Sequence, residues 1–164
     1  LVHPFERVWV AGRASAPEFA DWLKTEFGVT ASAVDARTAV QEADVIVTAT
    51  RATEPLFDGT WVRPGTFIAA VGSRKPAARE LDDALLARAE LIVVEWLPAA
   101  QAEAGEFVRA EPGTIDSARV TELGKLLVKG TAYERRAGDI VVYKSVGIGL
   151  EDVALAHLVY QRCA

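Results

Sequence analysis

Apolar residues recur along this chain in two alternating rhythms. Short runs rich in β-branched and aromatic residues, "RVWVAG" (7–12), "VTASAV", "DVIVTAT" (44–50), "TFIAAVG", "LIVVEW" and "DIVVYKS", read as strands. Between them the apolar spacing is helical. "SAPEFADWLKTEFG" places Phe19, Leu23 and Phe27 on one side, starting at Ser15 or Ala16 before Pro17 and stopping at Gly28. "RTAVQEA" predicts a short helix, and "ELDDALLARA" one with Leu81, Leu85 and Leu86 together. "PAAQAEAGEF", "ARVTELGKLLVKG" and residues 151–162 predict the rest. Strands alternating with helices at this interval imply βαβ units, hence an α/β doubly wound domain with a mainly parallel sheet. "DVIVTAT" lacks polar alternation, which predicts a strand buried on both faces. The charged stretch "VRAEPGTIDS" reads as a loop.

Ligands of such sheets sit at the carboxyl ends of the strands. Four strand ends, "AGRAS", "TAT", "AVGS" and "KSVGIG", carry small or hydroxyl residues. Each alone is an ordinary tight loop; four on one rim favour a nucleotide-like ligand. Gly147 and Gly149 lead into the acidic pair Glu151 and Asp152. That pair suits a helix start, where the macrodipole favours negative charge, and adjacent helical residues point about 100° apart, so it is no catalytic dyad.

Composition narrows the choice further. A chain of 164 residues, 51% hydrophobic and 25% charged, suffices for one domain with a substantial core. Eighteen Lys and Arg against 23 Asp and Glu give a net charge of −5 with no basic stripe, which disfavours nucleic-acid partners. No apolar run approaches the roughly 20 residues of a membrane span. A single cysteine, Cys163, excludes an internal disulfide, and His3 and His157 alone make no zinc cluster, so no metal is expected and a reducing, cytoplasmic setting is the default. The start at Leu1 and the lack of methionine suggest a chain cut from a longer one. His157 among apolar neighbours reads as a packed or interface residue. The four tryptophans are scattered, which suggests packing and no stacking platform. Cys163 is assigned no chemistry.

Across "ERVWVAGR", "EADVIVTAT", "AVGSRKPAARELDDALL", "QAEAGEF" and "VVYKSVGIGLEDVALA", nearly the whole chain in order, the sequence resembles the ornithine cyclodeaminase and mu-crystallin family, which includes cyclic-ketimine reductases and some amino-acid dehydrogenases. The resemblance implies a Rossmann-type dinucleotide-binding domain within a longer, two-lobed, homodimeric subunit. Residues 1–149 would be that domain without its first strand and glycine-rich fingerprint, residues 1–6 the tail of the preceding helix, and residues 150–164 a helix packing toward the companion lobe that carries substrate-gripping and dimerising residues. Alone, the chain would bind cofactor poorly.

The same resemblance places Arg13 and Ser15 at the adenosine ribose. With a guanidinium and no acid there, NADP(H) is preferred and NAD(H) possible, unless Arg13 is a solvated surface charge. Thr48, Ala49 and Thr50 would lie under the adenosine and ribose, Val71 and Gly72 near the nicotinamide, and the Val146 and Gly147 backbone on its other side. Arg74 stands where cyclodeaminases of the family carry an aspartate that handles protons. An arginine stays charged and cannot do that work. It fits a reductase acting on a small amino-acid-derived substrate, Δ1-pyrroline-2-carboxylate or Δ1-piperideine-2-carboxylate, where Arg74 holds the carboxylate or else pairs structurally with Glu80 or Asp82. Ornithine cyclodeaminase and a non-catalytic NADPH-binding protein are the alternatives. Lys144 either reaches a phosphate or carboxylate or simply ends its strand.

Overall fold

In the computed structural model, residues 4–128 and 133–163 are described. β1 (Arg7–Val10) and β2 (Thr30–Ala33) pair in parallel, with Arg7 opposite Thr30, and α1 (Ala16–Phe27) connects them. Gly28 closes α1 at φ 66°, its N–H donating to the Lys24 carbonyl. After α2 (Ala36–Glu42), capped by the Asp35 carboxylate on the Thr38 N–H, a second sheet begins. It contains β3 (Val45–Thr48), β4 (Phe67–Ala70), β5 (Leu91–Val94), β6 (Val120–Glu122) and β7 (Val141–Lys144). Their spatial order is β3-β4-β7-β5-β6, and every pair is parallel. The helices are α3 (Asp83–Arg88), α4 (Leu97–Glu103), α5 (Gly105–Val108), α6 (Leu123–Leu127) and α7 (Gly149–Cys163). This is the parallel α/β, Rossmann-like architecture expected, in two sheet segments.

The main core lies on one face of the five-stranded sheet, where Ile68, Leu81, Leu85, Leu86, Ile92, Val94 and Val142 are buried together, and a smaller cluster of Leu91, Val93 and Val141 lies on the other. Each such side chain contributes about 1.5–3 kcal/mol by leaving water. The last strand in sequence, β7, inserts at the centre, with Lys144 opposite both Ala70 and Val94. A cationic residue is thereby placed at the middle of the sheet's carboxyl edge, flanked on both sides.

Four expectations are corrected here. The strand in "DVIVTAT" is not buried on both faces. Among the described residues β3 pairs only with β4, and Ile46 and Thr48 point inward while Val45 and Val47 are exposed. Its outer face has no covering helix, and an apolar run does not say whether one is present. "ARVTELGKLLVKG" is not one helix: Ser117–Arg119 form a 3-10 turn, β6 follows, and α6 is short, with residues 129 and 130 outside the described set. Val120 and Thr121 pair with Ile92 and Val93, because the open ladder of β5 satisfies backbone groups that a helix would otherwise have claimed. Residues 4–6 are not helical, and residues 1–3 lie outside the described set. In α1 the small residues Ala16 and Ala20 are buried, while Phe19 and Phe27 are exposed. Trp22 stacks on Phe19 with centroids 5.5 Å apart and meets Phe27 edge-on at 5.3 Å, so this tryptophan does belong to a cluster.

Candidate functional site

Parallel strands end on one edge, so the loops after β3, β4 and β7 meet there. They are joined by a residue that sequence reasoning did not single out. The carboxylate of Glu80, fully buried, accepts from the Thr50 N–H at 2.7 Å and the Thr50 hydroxyl at 2.8 Å through Oε1. Through Oε2 it accepts from the Thr48 hydroxyl at 3.0 Å and from the N–H groups of Gly72 and Ser73 at 2.9 and 3.3 Å. A single acid therefore ties the end of β3 to the end of β4. Its own N–H donates to Oε1 of Glu106, a second fully buried acid on α5, at 2.8 Å.

Lys144 completes the network. Its ammonium donates to the Ser73 carbonyl at 2.6 Å and hydroxyl at 3.1 Å, and lies 3.5 Å from Glu106 Oε2. The Ser73 hydroxyl donates in turn to Glu106 at 3.3 Å. Lys144 is wholly buried, so it neither reaches outward for a phosphate nor merely ends its strand. Charges inside a protein need such partners, since burying one unpaired is very costly.

The expected cofactor residues divide accordingly. Thr48 is buried with its hydroxyl committed to Glu80, so it offers a ligand no side-chain group. Ala49 and Thr50 are exposed at the rim, the Thr50 hydroxyl being shared between Glu80 and the Ala52 N–H. Val71 is 43% exposed beside them. Gly72 is needed for internal packing: a Cβ there would lie 2.0 Å from the Thr50 nitrogen. Val146 is buried, and its N–H donates to Glu95 at 3.3 Å. Gly147 differs: at φ 74° with nothing within 4 Å of an added Cβ, it opens to solvent. Arg13 and Ser15 are exposed at the end of β1, on the other sheet segment, and the Ser15 hydroxyl makes no cap bond to α1.

Arg74 is exposed on the β4 loop and among the described residues has no hydrogen-bond or ion-pair partner. The pairing with Glu80 or Asp82 does not form. Glu80 is engaged as above, and Asp82 accepts from the N–H groups of Leu85 and Gly59, both at 2.8 Å. An open cleft of about 900 Å³ lies beside Gly147, lined in part by Glu95, Trp96, Ala99, Ile148 and Leu150. Among the described residues no group of acidic, histidine or cysteine side chains is placed to hold a metal ion, and no helix is long and apolar enough to cross a membrane.

Glu95 also accepts from the Tyr143 hydroxyl at 3.0 Å. Burial first, then this bond and the Glu95 charge, push the phenol up to about 12 from an ordinary 10. The folded state thus holds the proton more tightly than the unfolded chain. The stability it contributes is complete below the ordinary value and is lost as pH rises from 10 toward 12. Tyr143→Phe is expected to remove one phenolate step near pH 12 from the 295 nm titration; loss of a step near pH 10 would contradict this.

α7 carries Glu151 and Asp152 in its first turn, as expected of a helix start. Every described residue of it is exposed, including Leu150, Val153, Leu155, Leu158, Val159 and Tyr160. His157 is therefore not packed; its ring nitrogen lies 2.9 Å from the Gln161 amide.

The rim offers a dinucleotide only its exposed parts, an accessible apolar Val71 and an open positive-φ Gly147, and Arg13 and Ser15 stand exposed on the other sheet segment. The sequence profile described as "Ornithine cyclodeaminase/mu-crystallin family" matches residues 3–164. The ketimine reductase mu-crystallin of Mus musculus is 36% identical over 154 residues, which are 94% of this chain and 46% of that protein. Among solved structures, the probable ornithine cyclodeaminase of Bordetella pertussis Tohama I superposes with a TM-score of 0.92 at 44% identity, covering 97% of this chain and 51% of that one. The Δ1-pyrroline-2-carboxylate reductase of Thermococcus litoralis, in complex with NADH and L-proline, superposes at 0.86 with 30% identity, covering 94% and 49%. This chain thus spans about half the length of the relatives it matches.

Proposed function

The chain belongs to the ornithine cyclodeaminase/mu-crystallin family, and from that premise we propose that it serves an enzyme that reduces the C=N bond of a cyclic imino acid with a reduced nicotinamide dinucleotide. The substrates are Δ1-pyrroline-2-carboxylate or Δ1-piperideine-2-carboxylate, and the products L-proline or L-pipecolate. The observation that carries this reading is Arg74, exposed and without a partner among the described residues, at the position where the family resemblance implies a proton-handling acid in cyclodeaminases. Its fixed positive charge suits the carboxylate of the imino acid.

When bound, the dinucleotide supplies the hydride that adds to the imine carbon, while the nitrogen carries a proton and becomes the amine. The chain's residues supply position. Val71 and the Gly147 backbone offer an apolar surface and an open approach for the nicotinamide. Ala49 and Thr50 line the path toward the ribose, and Arg13 with Ser15 faces the adenosine end. The exposed apolar side chains of α7 (Gly149–Cys163) suit packing on the companion lobe of a homodimer. The single cysteine suits a reducing compartment such as the cytoplasm.

NADP(H) is the preferred cofactor on this reading, because the Arg13 guanidinium can hold the 2′-phosphate. In the full-length protein, Arg13→Gln should raise the KM for NADPH by about tenfold or more, the loss of one charge-assisted contact worth about 1.5–3 kcal/mol, and leave that for NADH nearly unchanged. Equal effects on both cofactors would make Arg13 a solvated surface charge. The reading itself is tested by steady-state assay of both imino acids with each cofactor; no turnover despite tight NADPH binding would favour a non-catalytic binding protein. A second reading, ornithine cyclodeaminase, is favoured by the 44% identity to the Bordetella protein.

A further inference from the structure

The Glu80, Glu106, Ser73 and Lys144 network has a property that stability does not account for. All four residues are buried, three of them completely, and the Lys144 ammonium lies 3.5 Å from Glu106. Replacing a buried ion pair by packed apolar side chains is often neutral or stabilising, so such a pair is weak evidence of a stabilising role. It does provide direction. Much of the network converges on the short loop after β4. Lys144 from β7 holds the Ser73 carbonyl and hydroxyl, Glu106 from α5 holds the Ser73 hydroxyl, and Glu80 holds the Gly72 and Ser73 N–H groups. Three separate elements therefore fix one peptide through directional bonds on its carbonyl, its hydroxyl and its N–H.

We propose that Lys144 and Glu106, acting through Ser73, are positioning residues that set residues 71–74 for hydride transfer. This rests on the reading above, in which Val71 flanks the nicotinamide and Arg74 holds the substrate carboxylate. Both reactants would then be placed by one short stretch of backbone, so a small displacement of Ser73 changes the distance between hydride donor and imine carbon. None of the four residues needs to touch either reactant.

The test uses the full-length protein and two variants, Ser73→Ala, which removes only the shared hydroxyl, and the double variant Lys144→Met with Glu106→Gln, which removes both charges together. The expected result is a kcat lowered roughly 10- to 100-fold, a KM for NADPH almost unchanged, and a changed primary isotope effect with 4-deuterated NADPH. Amide hydrogen exchange without cofactor should accelerate at residues 71–74 while the global unfolding midpoint of Ser73→Ala stays near wild type. Faster exchange with an unchanged isotope effect would overturn the proposal, leaving the network purely structural; unchanged exchange and unchanged kcat would overturn it as well. If the wild-type protein converts ornithine and not the imine, the reductase reading fails separately. The isotope effect is then read with ornithine deuterated at the carbon that loses hydride, and the same outcomes apply.

Discussion

Glu80→Ala is expected to abolish cofactor-dependent turnover and to lower the thermal midpoint of the protein sharply. The substitution leaves the N–H groups of half-buried Gly72 and buried Ser73, and of Thr50 at the rim, without their acceptor, and an unsatisfied buried group costs about 1–3 kcal/mol. The two threonine hydroxyls can turn to other acceptors, so the backbone groups dominate and the loss should be about 3–5 kcal/mol. For a domain of this size that is a fall of about 10 °C or more. Glu80→Gln is the sharper probe. Both carboxylate oxygens face donors, and a glutamine presents an oxygen to one set and an NH2 group to the other, whichever way it turns. It should therefore also lose stability despite its equal size, measured by thermal or urea denaturation. A Gln variant as stable as wild type would mean that the five bonds do not hold the ends of β3 and β4 together.

The second large effect is expected at Gly72. An alanine Cβ there would lie 2.0 Å from the nitrogen and 2.4 Å from the carbonyl oxygen of Thr50, and 2.5 Å from Glu80 Oε1. Two of these are backbone atoms, so no side-chain rotation relieves the contact, and the ends of β3 and β4 must separate. Overpacking ordinarily costs about 1–3 kcal/mol, and rigid neighbours put Gly72→Ala at or above the upper end. Gly147→Ala makes the contrast. It meets nothing within 4 Å, and its cost is the strain of a positive φ, about 1–2 kcal/mol. On the proposed function, Gly147→Ala should weaken dinucleotide binding more than it lowers the unfolding midpoint, and Gly72→Ala the reverse. Binding by Gly147→Ala as tight as wild type, measured by NADPH fluorescence titration, would remove the Gly147 backbone from the cofactor surface.

The strand-helix alternation and the direction of the sheet were legible because each element carries its own periodicity and punctuation. Gly28, Pro17 and the apolar "LIVV" of β5 act locally. What the sequence left hidden depends on neighbours far along the chain. Val47 is exposed because no described helix covers that face of β3, and Val120 is in a strand because it pairs with the otherwise open side of β5. The site followed the same division. The small residues at the ends of β3, β4 and β7 were visible, while the fourth expected end, after β1, lies on the other sheet segment, and Glu80, Glu106 and Lys144 look like surface charges until the fold encloses them. A signal existed for Lys144: it shares the inward face of its strand with Val142, two residues before it, and an inward lysine needs a buried partner. No comparable pattern marks Glu80 in "RELDD", where Asp82 caps α3 and Asp83 pairs with Arg79.

The most direct test of the central claim is a stoichiometric count in the full-length protein: NADPH oxidised against proline formed from Δ1-pyrroline-2-carboxylate, with ornithine and NAD in parallel. Mole-for-mole oxidation of NADPH with proline, and no ammonia from ornithine, is the predicted result. Ammonia and proline from ornithine with no net change in the cofactor would contradict it, and with it the role given to Arg74.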